Sequence, residues 1–277
     1  MLRLTKTGHS RNTKGLIISF EPSMKLPSIL VLATTSLMLL SSCGNEKKEE
    51  VKTAVAPANV AVDPAIAASI TGKATFTGVK PKLMQISMDA VPNCARQHEK
   101  PLLAEDSIIS ANGALANVFV YVKSGLPAGT WPVHSSPVAL DQKGCVYTPH
   151  VLGVTIGQNL EITNSDPTNH NVHPMPRVNR EWNESQPPQS DKKLKTFDKQ
   201  EIGILFKCNV HPWMRAYVSV LPHSFFAVTA GDGTFTIKGL PPGEYTLEAW
   251  HEKFGVQEIK VKVEAKESKT ADFTFKG

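Results

Sequence analysis

The chain lacks the marks of several large classes of protein. Its formal charge is +5 over 277 residues. Residues 1–42 hold five basic side chains (Arg3, Lys6, Arg11, Lys14 and Lys25) against one acid, Glu21, so the remainder is close to neutral. That balance gives nucleic-acid binding no support. The apolar run Ser28–Leu40 covers 13 residues, short of the ~20 that a spanning helix needs. No segment combines helical period with helical length. The four cysteines show none of the tight paired-thiolate spacing of zinc sites. No nucleophile triad, paired carboxylates or open-position metal site is legible, so an enzyme is not expected.

What is present is a β pattern. A hydrophobic content of 41% with 20% charged residues gives a real core, and the length allows two domains or one with an insertion. Ile70–Gly78 alternates and stops at glycine, and Ala116–Val122 is a strong strand run. Val151–Thr163 reads as a hairpin turning at Gly157-Gln158, and Thr196–Lys207 and Ala216–Leu221 supply further strands. The expected class is all-β, built as sandwiches. Residues 175–200 read as a long polar loop. Their basic run, Lys192, Lys193 and Lys195, reads as a solvated face.

Residues 1–43 read as an export signal: Met24-Lys25 is a short basic start, and Ser28–Leu40 is the apolar region. The following Leu40-Ser41-Ser42-Cys43-Gly44 resembles a bacterial lipobox, which implies lipidation at Cys43 and anchoring to a membrane without spanning it. Gly44 after the cysteine favours the periplasmic side or surface of the outer membrane. Residues 44–66, charged and then Ala/Pro/Val-rich, read as a flexible tether.

The chemistry concentrates in Cys208-x2-His211-x2-Met214, with His170 thirty-eight residues upstream of the cysteine. Two imidazoles, a thiolate and a weak thioether are the ligand set of a mononuclear blue (type 1) copper site, which suits both Cu(II) and Cu(I) without rearrangement. Ile204 stands where a binuclear centre would need a second cysteine, so one copper is expected. His173 lies an odd number of residues from His170 and points to the other face of a strand. Met175 is similarly placed, while His223 and His251 lack neighbouring ligand types. Trp213 and Pro212 flank His211, and Trp213 reads equally as docking surface or as buried packing.

With Cys43 lipidated and Cys208 on metal, Cys94 and Cys145 remain. An oxidising compartment favours a disulfide between them. Two alternatives stay open: a second metal site built from Cys94-x3-His98 and Cys145-x4-His150, or free structural thiols.

Around these ligands, residues 135–222 resemble a cupredoxin. Asn164–Val172 is similar to the turn presenting the first histidine, and Cys208–Met214 is similar to the short ligand loop of the amicyanin type, with Asn209-Val210 replacing Thr-Pro. The resemblance implies His170, Cys208, His211 and Met214 as copper ligands, and Asn171 as a residue bonding across to the cysteine loop. Residues 223–277 resemble the carboxypeptidase regulatory-like domain through Asp232-Gly233-Thr234-Phe235-Thr236-Ile237-Lys238-Gly239-Leu240-Pro241-Pro242-Gly243-Glu244-Tyr245-Thr246-Leu247, read as two paired strands. That family's opening strands are absent just upstream of Phe225 but present at 72–78 and 116–122. The N-terminal β segment 67–134 is therefore expected to begin a sandwich that the cupredoxin region splits.

The implied function is electron transfer in the cell envelope, with a redox protein such as a cytochrome as partner and a carbohydrate or protein ligand for the C-terminal module. The competing classes are a copper chaperone or sink and a structural or carbohydrate-binding lipoprotein. A single well-placed Met argues against copper storage.

Overall fold

The computed structural model describes residues 59–277. The export and lipidation reading of residues 1–43, Cys43 included, lies outside the described residues, as does most of the tether.

Seventeen strands and one four-residue helix make the described chain nearly all-β. No helix among the described residues is long and apolar enough to cross a membrane. Two sandwiches share the chain. In the first, β1 (Ala68–Thr77) pairs antiparallel with β13 (Thr234–Leu240), with Ile70 opposite Ile237 and Gly72 opposite Phe235. On its other edge β1 runs parallel to β16 (Ser268–Thr270) and β17 (Phe273–Lys276). The facing sheet is ordered β12 (Phe226–Val228), β2 (Phe119–Ser124), β14 (Gly243–His251) and β15 (Gly255–Val263). Val118, Val120 and Val122 lie in one buried cluster with Phe235, Ile237, Leu247 and Phe275. Strands more than 100 residues apart in sequence thus close one core, because alternate side chains of each strand need an apolar face to cover them.

The second sandwich occupies the sequence between those strands. One sheet runs β5 (Val151–Thr155), β11 (Arg215–Leu221), β10 (Glu201–Lys207), β7 (His170–Met175) and β8 (Glu184–Gln186). The other runs β4 (Tyr147–Thr148), β3 (Val138–Gln142), β6 (Leu160–Asn164) and β9 (Lys193–Lys195). Its core holds Leu140, Val154, Leu160, Ile162, Phe206, Met214 and Val218.

Three expectations are corrected. Val151–Thr163 is not a hairpin: β5 pairs with β11 and β6 with β3, so the two strands lie in opposite sheets. Likewise β13 and β14, on either side of Pro241-Pro242, pair with β1 and β2 rather than with each other. In both cases alternation predicted strands correctly, but burying both strands' apolar faces against each other across the core is better than placing them edge to edge. The loop 175–200 carries two short edge strands, β8 and β9. Its basic run is tied down by ion pairs of Lys192 to Glu161 and of Lys193 and Lys195 to Glu184, while Lys195 lies over the ring of Trp182. Charged side chains on short edge strands also deter edge-to-edge association.

Phe119, Tyr121, Val151 and Leu221 form a third buried cluster, with Tyr217, Phe226 and Trp250 packed against it, joining the two sandwiches. A bulge in β10 admits this contact. Gly203 has φ +67°, and a Cβ there would sit 2.5 Å from the Trp250 ring.

Before β2, residues 84–104 form an irregular hairpin. The amide of Ile86 donates to Leu102 and that of Ala104 to Met84, both at 2.8 Å. A short helix, α1 (Pro92–Ala95), sits at its tip. Met88 and Cys94 of this hairpin are buried in the core of the second sandwich.

Candidate metal centre

The neighbouring strands β7 and β10 deliver the site. His170 opens β7, and Cys208 follows the last residue of β10. Pairing of Lys207 with His173 and of Phe206 with Pro174 fixes their relative height. The chain then turns tightly: the amide of Met214 donates to His211 O at 2.9 Å, and that of Cys208 to Met214 O at 3.3 Å. These bonds close the loop without the Pro expected of the amicyanin type.

The potential ligand atoms of His170, Cys208 and His211 all lie within 4.8 Å of one another, and all three residues are buried. Nδ1 of His170 is 2.9 Å from Nδ1 of His211, which lies 3.7 Å from Cys208 Sγ. Met214 is fully buried in the same cluster as Cys208. Cys208 is the free cysteine of the described chain. Burial raises its thiol pKa, but His170 and the backbone amides of Asn171, His211 and Val210 outweigh this and hold it below the ordinary value. A group poised to be a thiolate is what a soft metal requires.

Asp166 completes the arrangement. His170 donates from Nε2 to Asp166 Oδ2 at 2.8 Å, which leaves the Nδ1 lone pair for a metal. The same carboxylate accepts the amides of Gly144 at 2.6 Å and Cys145 at 2.7 Å, two successive residues in left-handed conformation. Burial pushes Asp166 upward, but His170 and the two amides prevail and hold it below the ordinary carboxylate range. Burial pulls His170 downward, but Asp166 and Cys208 raise it above its ordinary value in the metal-free protein. Burial and the neighbouring His170 lower His211. Sequence reasoning missed Asp166. The signal was available: it stands four residues before His170, in a turn anchored by its own amide on Asn164 Oδ1.

Asn171 lies across from the cysteine loop, accepting the Asn209 amide at 2.7 Å, with Oδ1 3.4 Å from Cys208 Sγ. Tyr147, also missed, donates its hydroxyl toward Asn171 O at 2.8 Å and Lys207 O at 3.1 Å, bridging β7 and β10. His173 instead contacts Asn209 and Glu181. Met175 is partly exposed at the surface. His223 and His251 are buried away from these residues, His223 tilted against Phe225 and His251 stacked on Phe254.

Cys94 and Cys145 are joined as a disulfide. The alternative site with His98 and His150 is thereby excluded in this state. His98 lies 2.7 Å from Gly144 O, and His150 pairs with Glu252. The disulfide is also part of the centre: Cys94 Sγ lies 3.5 Å from Nε2 of His211. Trp213 is half-buried, and its indole donates to Cys145 O at 2.9 Å. The residues present fit one soft-to-borderline metal ion: one poised thiolate, two imidazole Nδ1 atoms facing the same point and a buried thioether close by in sequence.

Residues 211–276 match the carboxypeptidase regulatory-like domain, a span from His211 through β17. No curated protein matches the chain. Among solved structures it is similar to a Cu-containing nitrite reductase from Thermus scotoductus SA-01, at 20% identity and TM-score 0.27 over 35% of this chain and 25% of that one. It is also similar to a purple cupredoxin from Nitrosopumilus maritimus, at 19% identity and TM-score 0.26 over 30% of this chain and 97% of that one. A reduced amicyanin mutant matches at 24% identity and TM-score 0.28, over 32% of this chain and 85% of the other. The chain thus spans only a quarter of the nitrite reductase. The family match is confined to residues 211–276, and the solved structures that the chain resembles include a purple cupredoxin and an amicyanin.

Proposed function

We propose that this protein binds one copper ion at His170, Cys208, His211 and Met214 and acts in electron transfer, without enzymatic turnover. The observation that carries the reading is the convergence of His170 Nδ1, His211 Nδ1 and Cys208 Sγ, three buried donors on a strand pair and a hydrogen-bonded loop. Bound copper would supply a one-electron couple at this point. The chain's own residues hold the donors still. Asp166 fixes the tautomer and angle of His170, Asn171 ties the cysteine loop to β7, and the Cys208 and Met214 amides close the loop. Preorganised donors limit the rearrangement between oxidation states.

The same proposal places the protein in the cell envelope, tethered through lipid on Cys43, with a soluble redox protein such as a cytochrome as partner. The first sandwich would serve as its scaffold or as a carbohydrate- or protein-binding module.

The test is Cu(II) titration of the chain lacking residues 1–53. A strong thiolate-to-copper absorption that disappears in Cys208→Ser supports the reading. A colourless protein that retains no copper after desalting overturns it. Radiolabelled fatty acid incorporated by the full-length chain but not by Cys43→Ser checks the anchor.

A further inference from the structure

The hairpin 84–104 has no part in the ligand set, yet it reaches the metal centre. Its arms are joined by the Ile86–Leu102 and Ala104–Met84 bonds, and its tip helix carries Cys94 into the core. There Cys94 bonds to Cys145, in the loop whose two amides are seated on Asp166. Three further contacts fasten the same junction: His98 to Gly144 O at 2.7 Å, Gln97 to Cys145 Sγ at 3.8 Å and Trp213 to Cys145 O at 2.9 Å. The result falls on one ring. His211 is 1% exposed, Cys94 and Cys145 are 0% exposed, and Cys94 Sγ meets His211 Nε2 at 3.5 Å.

We infer that the Cys94–Cys145 disulfide, carried by the 84–104 hairpin, is a cover that positions His211, holding its Nδ1 toward His170 and Cys208 and closing its Nε2 edge to solvent and competing ligands. An imidazole on a loop can rotate about its side-chain bonds, and a thioether or thiolate ligand set alone does not stop it. The disulfide does, because it is anchored at both ends: at Cys94 by a hairpin packed into the core, and at Cys145 by the carboxylate that also orients His170. One buried anion, Asp166, thereby orients both histidines, the first directly and the second through Cys145 and the disulfide. That the covered ring is a copper ligand rests on the function proposed above, whereas its seclusion does not.

The experiment uses metal-free protein and diethylpyrocarbonate, with modification of each histidine followed by mass spectrometry. Exposed His134 serves as the internal reference. In the wild type His211 should react far more slowly than His134. In Cys94→Ala/Cys145→Ala its rate should rise by about tenfold or more while His134 is unchanged. Should that variant fail to fold, the wild type reduced with dithiothreitol under native conditions, and Leu102→Ala with the disulfide intact, give the same reading. Equal His211 rates with the cover closed and opened overturn the inference. A secluded His211 in a protein that takes up no copper would leave the cover standing and remove the function. Copper binding with a freely reactive His211 in the metal-free wild type would do the reverse.

Discussion

Asp166 accepts a hydrogen bond from His170 at 2.8 Å while both side chains are wholly buried. A buried carboxylate is tolerated only with enough donors around it. Here the donors are the His170 ring and the amides of Gly144 and Cys145. The pair therefore does two things. It sets which nitrogen of His170 is free, and it fixes the loop that holds one half of the disulfide.

Asp166→Asn should weaken copper binding by roughly ten- to a hundredfold, the usual effect of losing a partner to a ligand histidine. Competition with a copper chelator of known affinity measures it. Unchanged affinity would show that the strand alone orients His170.

Tyr147→Phe should lower stability by about 1–2 kcal/mol, because Asn171 O and Lys207 O lose a shared buried donor. Urea unfolding of the metal-free protein reads this directly. A midpoint equal to the wild type's would mean that the hydroxyl contributes nothing net.

Gly203→Ala should cost about 1–3 kcal/mol through backbone strain at φ +67° and collision with Trp250. In a Trp250→Leu background the collision disappears and only the smaller backbone share remains. A double-mutant cycle showing simple additivity would refute contact at this junction.

Burial holds His223 down to about 4 and His251 likewise to about 4. Above pH 6.5 both are neutral in the folded and unfolded chain and cost nothing. Below it the unfolded chain takes up protons that the folded chain excludes, so stability falls from about pH 6.5 toward 4, at most ~1.4 kcal/mol per group and pH unit. His150, raised by Glu252 against the lowering effect of its burial, acts in the opposite sense: its contribution is present below pH 6.5 and lost as pH rises through its folded value. His223→Gln should flatten the acid side of the stability profile, as followed by thermal unfolding between pH 7 and 4.5. An unaltered slope would place the proton uptake elsewhere.

Much of the fold was legible because its signals are local. Alternation marked Ile70–Gly78, Ala116–Val122 and Ala216–Leu221 as strands, and each carries or overlaps one. Which strands pair was not local. The Gly157-Gln158 and Pro241-Pro242 turns look the same whether a chain returns beside itself or crosses to the facing sheet, and the choice depends on which apolar faces the rest of the molecule leaves uncovered. The edge strands β8 and β9 were hidden by their polarity, since their stabilisation comes from ion pairs and ladder bonds rather than from an apolar stripe.

By itself the sequence marked a candidate donor set: Cys208, His211 and Met214 within seven residues, with His170 on a strand. Those residue types and spacings are set before any folding. The sequence also favoured pairing of Cys94 with Cys145 while leaving a second metal site and free thiols open. Only the tertiary structure decided that the Cys94–Cys145 disulfide lies against His211 and that Asp166 holds both His170 and the Cys145 loop. The disulfide and its contact with His211 join residues 51 and 117 positions apart, and an aspartate or a cysteine carries no mark of which partner it will meet. Burial brings such groups together and then requires each polar one to find a donor or acceptor.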